Sequence, residues 1–395
     1  MARLRTAATL AALAGLTLGF TPATAGEARA SGYVVVLDGS PGAASASGVR
    51  EAGARVTATY RAALDGYAVR ATPAQARRLA ALPGVERVVP DTPVRALDTG
   101  RPGLGAPESP LRPLGVQQPA PWHLDRLDQR TLPLDGRYAY PRRAGAGVTA
   151  YVLDTGVRVT HQEFGGRAVH GRDVVDGDFD SGDGNGHGTH VAALVAGETY
   201  GVAKAADVVA VRVLNDHGSG TVSGIIAGID WVVAHADGPS VVNMSIGGAA
   251  NTALDAAVRG AIAEGLTFSV AAGGSNGDVS RYSPARVPEA LTVSATNERD
   301  ERAPFANYGP LIDLFAPGTN LTSAWHTSDT ATATLSGSSM AAALVSGAVA
   351  LELGQRPHRD PAGVAQALTE AATPGVVRNP GAGTTAGLLN VTALR

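Results

Sequence analysis

Beyond residue 146 the chain alternates short apolar runs with longer segments of helical spacing. GVTAYVLD (147–154), DVVAVRVL (207–214), SVVNMSIG (240–247), TFSVAAG (267–273) and ALTVSAT (290–296) have strand length and are apolar almost throughout. GTHVAALVAGETYG (188–201), SGIIAGIDWVVAHA (223–236), ALDAAVRGAIAEG (253–265) and SMAAALVSGAVALELG (339–354) repeat their apolar positions with a helical period. Strands that are apolar on both faces, separated by helices, predict a mostly parallel sheet covered on both sides. The predicted class is therefore α/β, a three-layer doubly wound sheet.

The N-terminal part has a different rhythm. GYVVVL (32–37), Ala54–Tyr60, Ala63–Ala71 and GVERVVPD (84–91) read as strands. TPAQARRLAAL (72–82) opens with Thr72 as a cap and Pro73 at the first helical position, a helix-start signal. Together they form a small α+β module over residues 31–97, of a size that is marginal for folding alone. The next segment, from Leu97 to Pro121, is rich in Gly and Pro and has no apolar period. It reads as an exposed linker, assigned to 98–120, where nicking concentrates. A cut inside it would leave a chain of about 275–295 residues. Residues 121–395 form the main domain.

Composition narrows the setting. Arg3 and Arg5, an apolar run from Ala7 to Phe20 and small residues at Ala23, Ala25, Ala28 and Ala30 describe a secretory signal over 1–30. The run is short for a membrane span. The expected location is extracellular, with no membrane partner. A formal charge of −3 gives no reason to expect nucleic acid. The 395 residues include no Cys, so cations rather than disulfides are the expected staples.

Three residues carry candidate chemistry. Asp154 ends an apolar strand, and ligand sites of parallel sheets lie at such ends; the competing reading of such an acid, with less weight, is a helix or turn cap. His187 is bracketed by glycines in DGNGHGTHVA, where backbone and substrate can approach closely. With His190 it could also be read as a metal pair, but no H-E-x-x-H pattern supports that. Ser339 sits in SGSSMAAAL at the mouth of the last long helix, whose unpaired N–H groups could stabilise an oxyanion. Acyl transfer needs a nucleophile, a base and an acid that orients the base.

Ordered motifs tie these residues to a known family. PWHLDRLDQR (121–130), YVLDTGV (151–157), DGNGHGTHVA (183–192), MSIGG (244–248), VAAG (270–273), RYSPA (281–285), FANYGPLIDLFAPGT (305–319) and GSSMA (337–341) resemble the subtilisin superfamily, most closely its proteinase K branch. The resemblance covers nearly all of the C-terminal two-thirds. It implies a subtilisin-like fold with Asp154, His187 and Ser339 as catalytic triad. It makes Gly218, Ser219 and Gly220, with Ser245, Ile246 and Gly247, the segments that pair with substrate backbone. Ala271, Ala272 and Gly273 become the wall of the first specificity pocket, with room for apolar or aromatic side chains. The carbonyls of Pro288 and Ala290 and the carboxylate of Asp313 resemble a structural calcium site, whose hard oxygen ligands suit that ion. Residues 31–97 resemble the family's inhibitor-type propeptide, of ferredoxin-like α+β fold, with its first helix reduced.

The chain also departs from the family. Where the family has Asn after AAG, the source of its second oxyanion donor, this chain has Gly274. The spacing to RYSPA is unchanged, so the register is not shifted. Ala343-Leu344 stand where the family has Pro-His, and Ala193 where it has Gly. The resulting expectation is a secreted, monomeric serine endopeptidase, weakened at Gly274, with a peptide or protein substrate and its own propeptide as inhibitor. The rival is a catalytically silent peptide- or partner-binding module.

Overall fold

The computed structural model describes residues 29–40, 42–98, 103–105 and 115–394. The signal-like segment lies almost wholly outside the described residues. Among those described, no helix is long and apolar enough to cross a membrane.

The main domain is built on a seven-stranded sheet. Its order is Ala168–Asp173, Asp207–Arg212, Thr149–Asp154, Ser240–Met244, Thr267–Ala271, Leu291–Thr296 and Leu314–Pro317, and every pairing is parallel. Strand residues alternate between two cores. Ala150, Val152 and Val293 pack with the helices His187–Ala196 and Ser338–Gln355 on one face. Tyr151, Leu153, Val242 and Phe268 pack with Val222–His235 and Thr252–Ala263 on the other. Burial on both faces is why these strands are apolar at successive positions. The two edge strands were not predicted. Ala168–Asp173 (AVHGRD) is partly polar and exposed on one side, and Leu314–Pro317 is four residues long.

The N-terminal module is a four-stranded antiparallel sheet in the order Arg55–Tyr60, Gly66–Ala71, Ser31–Leu37, Val85–Pro90. Val35, Tyr67 and Val69 face its two helices, Ala46–Glu51 and Pro73–Leu79. The first helix has six residues. Thr72 and Gln75 form the reciprocal capping box of the second. Val34, Val36, Tyr60 and Ala68 face the opposite way and join the main domain's second core. Successive strand residues point to opposite faces, so one strand serves both cores.

The chain beyond Val85–Pro90 is not featureless, at the end of the module and in the linker alike. Pro93–Ala96 is a strand, because the main domain supplies its partners. Gly103–Gly105 pairs with Thr332–Leu335.

Candidate active site

Asp154 and His187 meet at the carboxyl end of a central strand, and Ser339 opens a helix that shares a core with the His187 helix. Asp154 is the last residue of a central strand and is fully buried. Its Oδ1 accepts the Thr155 N–H at 2.7 Å and lies 2.7 Å from His187 Nδ1. This pairing leaves Nε2 buried and without a hydrogen-bond partner. Burial opposes charge on the His187 ring. The charge and hydrogen bond of Asp154 outweigh it, with smaller help from Asp98 and Asp183, and push its pKa up to about 9.

Local chemistry explains why the histidine sits there. Gly188 lies where a Cβ would come within 2.0 Å of the Gly156 carbonyl oxygen, so no side chain fits. Asp183 organises the preceding turn. Its Oδ1 accepts the N–H groups of Asn185 and Gly186, and its Oδ2 accepts the N–H and hydroxyl of Thr189. Thr155 donates its hydroxyl to Asp183 and accepts the Gly188 N–H, tying the Asp154 strand to the His187 helix. Sequence reading missed Asp183; the Asp-Gly-Asn-Gly turn before His187 was the available signal.

Ser339 is the second residue of the Ser338–Gln355 helix, after an extended Gly337. Its N–H therefore belongs to the first turn, which has no intrahelical acceptor. Its hydroxyl donates to the Leu97 carbonyl at 2.7 Å and to the Ser245 carbonyl at 3.0 Å rather than to His187. Such hydrogen bonds often align only in the reacting complex.

Leu97 belongs to an extended tail that fills the cleft. Pro93–Ala96 is the inner strand of an antiparallel sheet, with Ser219–Thr221 on one side and Ile246–Ala249 on the other. The Ala96 N–H donates to the Gly218 carbonyl at 3.0 Å, and the Leu97 N–H to the Ser245 carbonyl at 3.3 Å. All six residues expected to pair with substrate backbone thus border this tail. Ala271, Ala272, Gly273 and Gly274 line a cavity of about 280 Å³, together with Leu97, Gly247 and Ala285.

Gly274 offers no side-chain donor. Its φ is not positive, unlike that of Gly273 at 106°. Asn276 follows two residues later. Its side-chain oxygen accepts from Arg302, and its N–H donates to the Phe305 carbonyl. Buried Asn307 holds the loop, donating to the Ala272 carbonyl and accepting the N–H groups of Ser275 and Gly277. Ala193, Ala343 and Leu344 are fully buried in the core that joins the two site helices.

The alternative metal pair does not form. His190 Nε2 lies 3.1 and 3.2 Å from the Leu321 and Ala333 carbonyls, and burial pushes its pKa down to about 3. Among the described residues, no three His, Asp or Glu side chains gather as a metal cluster. At the expected calcium position, burial raises the Asp313 carboxyl to about 6, against the pull of one Thr292 N–H at 2.8 Å.

A buried carboxylate–imidazole pair, a serine at a helix mouth and a peptide-binding edge define the class of a serine peptidase on a doubly wound sheet. Comparison with known proteins narrows it. The Subtilase family profile matches residues 145–387, and the Peptidase inhibitor I9 profile matches 29–97. The Extracellular serine proteinase of Thermus sp. (strain Rt41A) is 51% identical over 329 residues, covering 83% of this chain and 76% of its own. The Alkaline serine exoprotease A of Vibrio alginolyticus is 45% identical over 323 residues, covering 82% of this chain and 58% of its own. A crystal structure of a cold adapted subtilisin-like serine proteinase superposes with a TM-score of 0.68 at 51% identity, covering 69% of this chain and 99% of that one. The chain belongs to the subtilase family: it is a subtilisin-like serine proteinase preceded by an I9-type propeptide domain.

Proposed function

We propose that the protein is a secreted endopeptidase, made as a precursor that cuts its own Leu97–Asp98 bond. The observation that carries this reading is the Leu97 carbonyl at the Ser339 hydroxyl, with Pro93–Ala96 paired as a substrate strand. Main-chain pairing of this kind tolerates many sequences and leaves pockets to select side chains. This bond lies just upstream of the segment in which nicking was expected, and cutting it separates 31–97 from a mature chain that starts at Asp98 and is slightly longer than expected. The extracellular Thermus relative supports secretion.

The chemistry follows from the geometry. Ser339 Oγ attacks the Leu97 carbonyl carbon while His187 Nε2 takes its proton. Asp154 fixes the Nδ1–H tautomer and stabilises the imidazolium. The C–N bond breaks, the imidazolium gives its proton to the Asp98 nitrogen, and water then hydrolyses the acyl-serine. The Ser339 N–H stabilises the oxyanion. With Gly274 in place of an amide donor, that stabilisation is incomplete and the enzyme is slow for its class. The Leu97 side chain beside small Ala271, Ala272 and Gly273 points to apolar residues before the scissile bond. The test is hydrolysis of a Val-Arg-Ala-Leu anilide, expected with the mature protein and lost with Ser339→Ala.

A pH dependence follows from His187. Only the neutral imidazole accepts the serine proton, so self-cleavage should rise with pH through about 9. Asp98 is among the charges that raise this pKa, so Asp98→Asn should move the midpoint downward. Rates of precursor conversion across a pH series, read by gel densitometry, check this. An unmoved midpoint would remove Asp98 from the account.

The family resemblance names the carbonyls of Pro288 and Ala290 and the carboxylate of Asp313 for a calcium ion; these are hard oxygen donors, and burial disfavours that carboxylate when alone, which supports a cation there. When bound, the ion would hold Asp313 ionised and stabilise the native state by mass action. A chelator is expected to lower Tm by about 5–10 °C. Asp313→Ala should remove most of that sensitivity in differential scanning calorimetry. Equal melting with and without chelator would exclude the site.

A further inference from the structure

The helix that opens with the nucleophile carries a second serine two turns on, Ser346, which no catalytic step uses. Ser346 is fully buried, as are Asn243, Ser245 and Ser339. A line of hydrogen bonds joins the four. The Ser346 hydroxyl donates to Asn243 Oδ1 at 2.9 Å, and Asn243 Nδ2 donates to Ser245 Oγ at 3.0 Å. The Ser245 hydroxyl donates in turn to the Ser339 carbonyl at 2.9 Å. The line leaves the helix, crosses the end of the central strand Ser240–Met244 and returns to the helix's first turn. Its two ends are about 10 Å apart along the helix axis.

The line runs in one direction, and Ser346 sets it. A side-chain amide has nearly the same shape either way round, so its neighbours decide which end donates. A serine inside a helix commonly gives its proton to the carbonyl one turn back. Here that carbonyl, of Ala342, already accepts the Ser269 hydroxyl at 2.9 Å besides its helical N–H. The Ser346 proton goes instead to Asn243 Oδ1. Asn243 then turns its NH2 toward Ser245, and Ser245 is left to donate to Ser339. Ser245 also borders the site by its main chain, whose carbonyl accepts the Ser339 hydroxyl and the Leu97 N–H.

We propose that Ser346 is a positioning residue for the nucleophile. Acting through Asn243 and Ser245, it fixes the first turn of the helix against the strand end that also meets the substrate tail. Without its hydroxyl the amide is free to turn over. Ser245 then donates to Asn243 Oδ1, and the Ser339 carbonyl loses that bond. The residue whose Oγ attacks and whose N–H meets the oxyanion is held less closely, which costs rate. Binding is spared, because the tail is held by Ser219–Thr221 and Ile246–Ala249. This inference rests on the reading of Ser339 as the nucleophile.

The test is steady-state kinetics of the mature protein on the Val-Arg-Ala-Leu anilide. Ser346→Ala should lower kcat about tenfold and leave KM within about twofold. Ser346→Thr keeps the hydroxyl and should keep kcat close to that of the wild type. In an Asn243→Ala background, Ser346→Ala should cost nothing further, because the line is already cut. An unchanged kcat in Ser346→Ala overturns the proposal. So does an equal fall with and without Asn243, which would mark Ser346 as a packing residue only. Ser346→Thr as slow as Ser346→Ala overturns it too. If Asn243→Ala gives no folded protein, the comparison of alanine with threonine decides alone. A wild type inactive on the anilide would overturn both this inference and the reading of Ser339. An active wild type with an unchanged Ser346→Ala would overturn this inference alone.

Discussion

Gly274→Asn is expected to raise kcat by about tenfold or more with little change in KM. A donor to the developing oxyanion acts mainly in the transition state, so its gain falls on kcat. Removing one such side-chain donor costs about 10²–10³ in rate, a value that comes from subtilisin itself. The Ser275 hydroxyl, on the same cavity wall, and a water are the remaining donors, less preorganised than an amide side chain. Asn276 is turned to Arg302, and Asn307 is occupied with the main chain of Ala272, Ser275 and Gly277. The backbone of Gly274 has no positive φ, so an asparagine meets no left-handed penalty there. Gly274 and Leu97 line the same cavity, so an amide introduced at position 274 stands beside Leu97. Steady-state kinetics on the Val-Arg-Ala-Leu anilide check the outcome. An unchanged kcat, with Ser339→Ala inactive, would mean that another group already fills the oxyanion position.

Ser339→Ala is expected to have the largest effect of any single substitution, a loss of about 10⁶ in kcat on the same anilide. That magnitude is the one known for the subtilisin triad. Substrate binding should survive, because the tail is held by main-chain bonds to Gly218 and Ser245 and by the pairing of Pro93–Ala96. Weak catalysis above water should also remain from the helix N–H groups and binding alone. Such a split, with KM kept and kcat lost, separates a nucleophile from a structural serine. Ser339 is fully buried at the mouth of its helix, and alanine is the better helix former, so the fold tolerates the change.

Much of this was legible in the sequence, for reasons that differ by element. The inner strands announced themselves because Ala150 and Val152 feed one core while Tyr151 and Leu153 feed the other. Asp154, His187 and Ser339 could be picked because each sits at the end of such an element. The edge strand Ala168–Asp173 could not, since half its face meets water and its sequence is mixed. Pro93–Ala96 carries little strand signal of its own. Its conformation comes from Ser219–Thr221 and Ile246–Ala249, which are distant in sequence. Asp183 and Asn307 were missed for a related reason. Each organises a loop through main-chain N–H groups, and no side-chain pattern records that.

The central claim is that Ser339 acts on the bond that the structure brings to it. The most direct measurement is the intact mass of the secreted wild-type protein and of Ser339→Ala, with N-terminal sequencing of each. The wild type is predicted to yield a chain beginning at Asp98, with residues up to Leu97 released as a separate fragment. Ser339→Ala is predicted to remain one chain with its Leu97–Asp98 bond intact. A wild-type product that keeps this bond, or a Ser339→Ala product cut at it, would contradict the account.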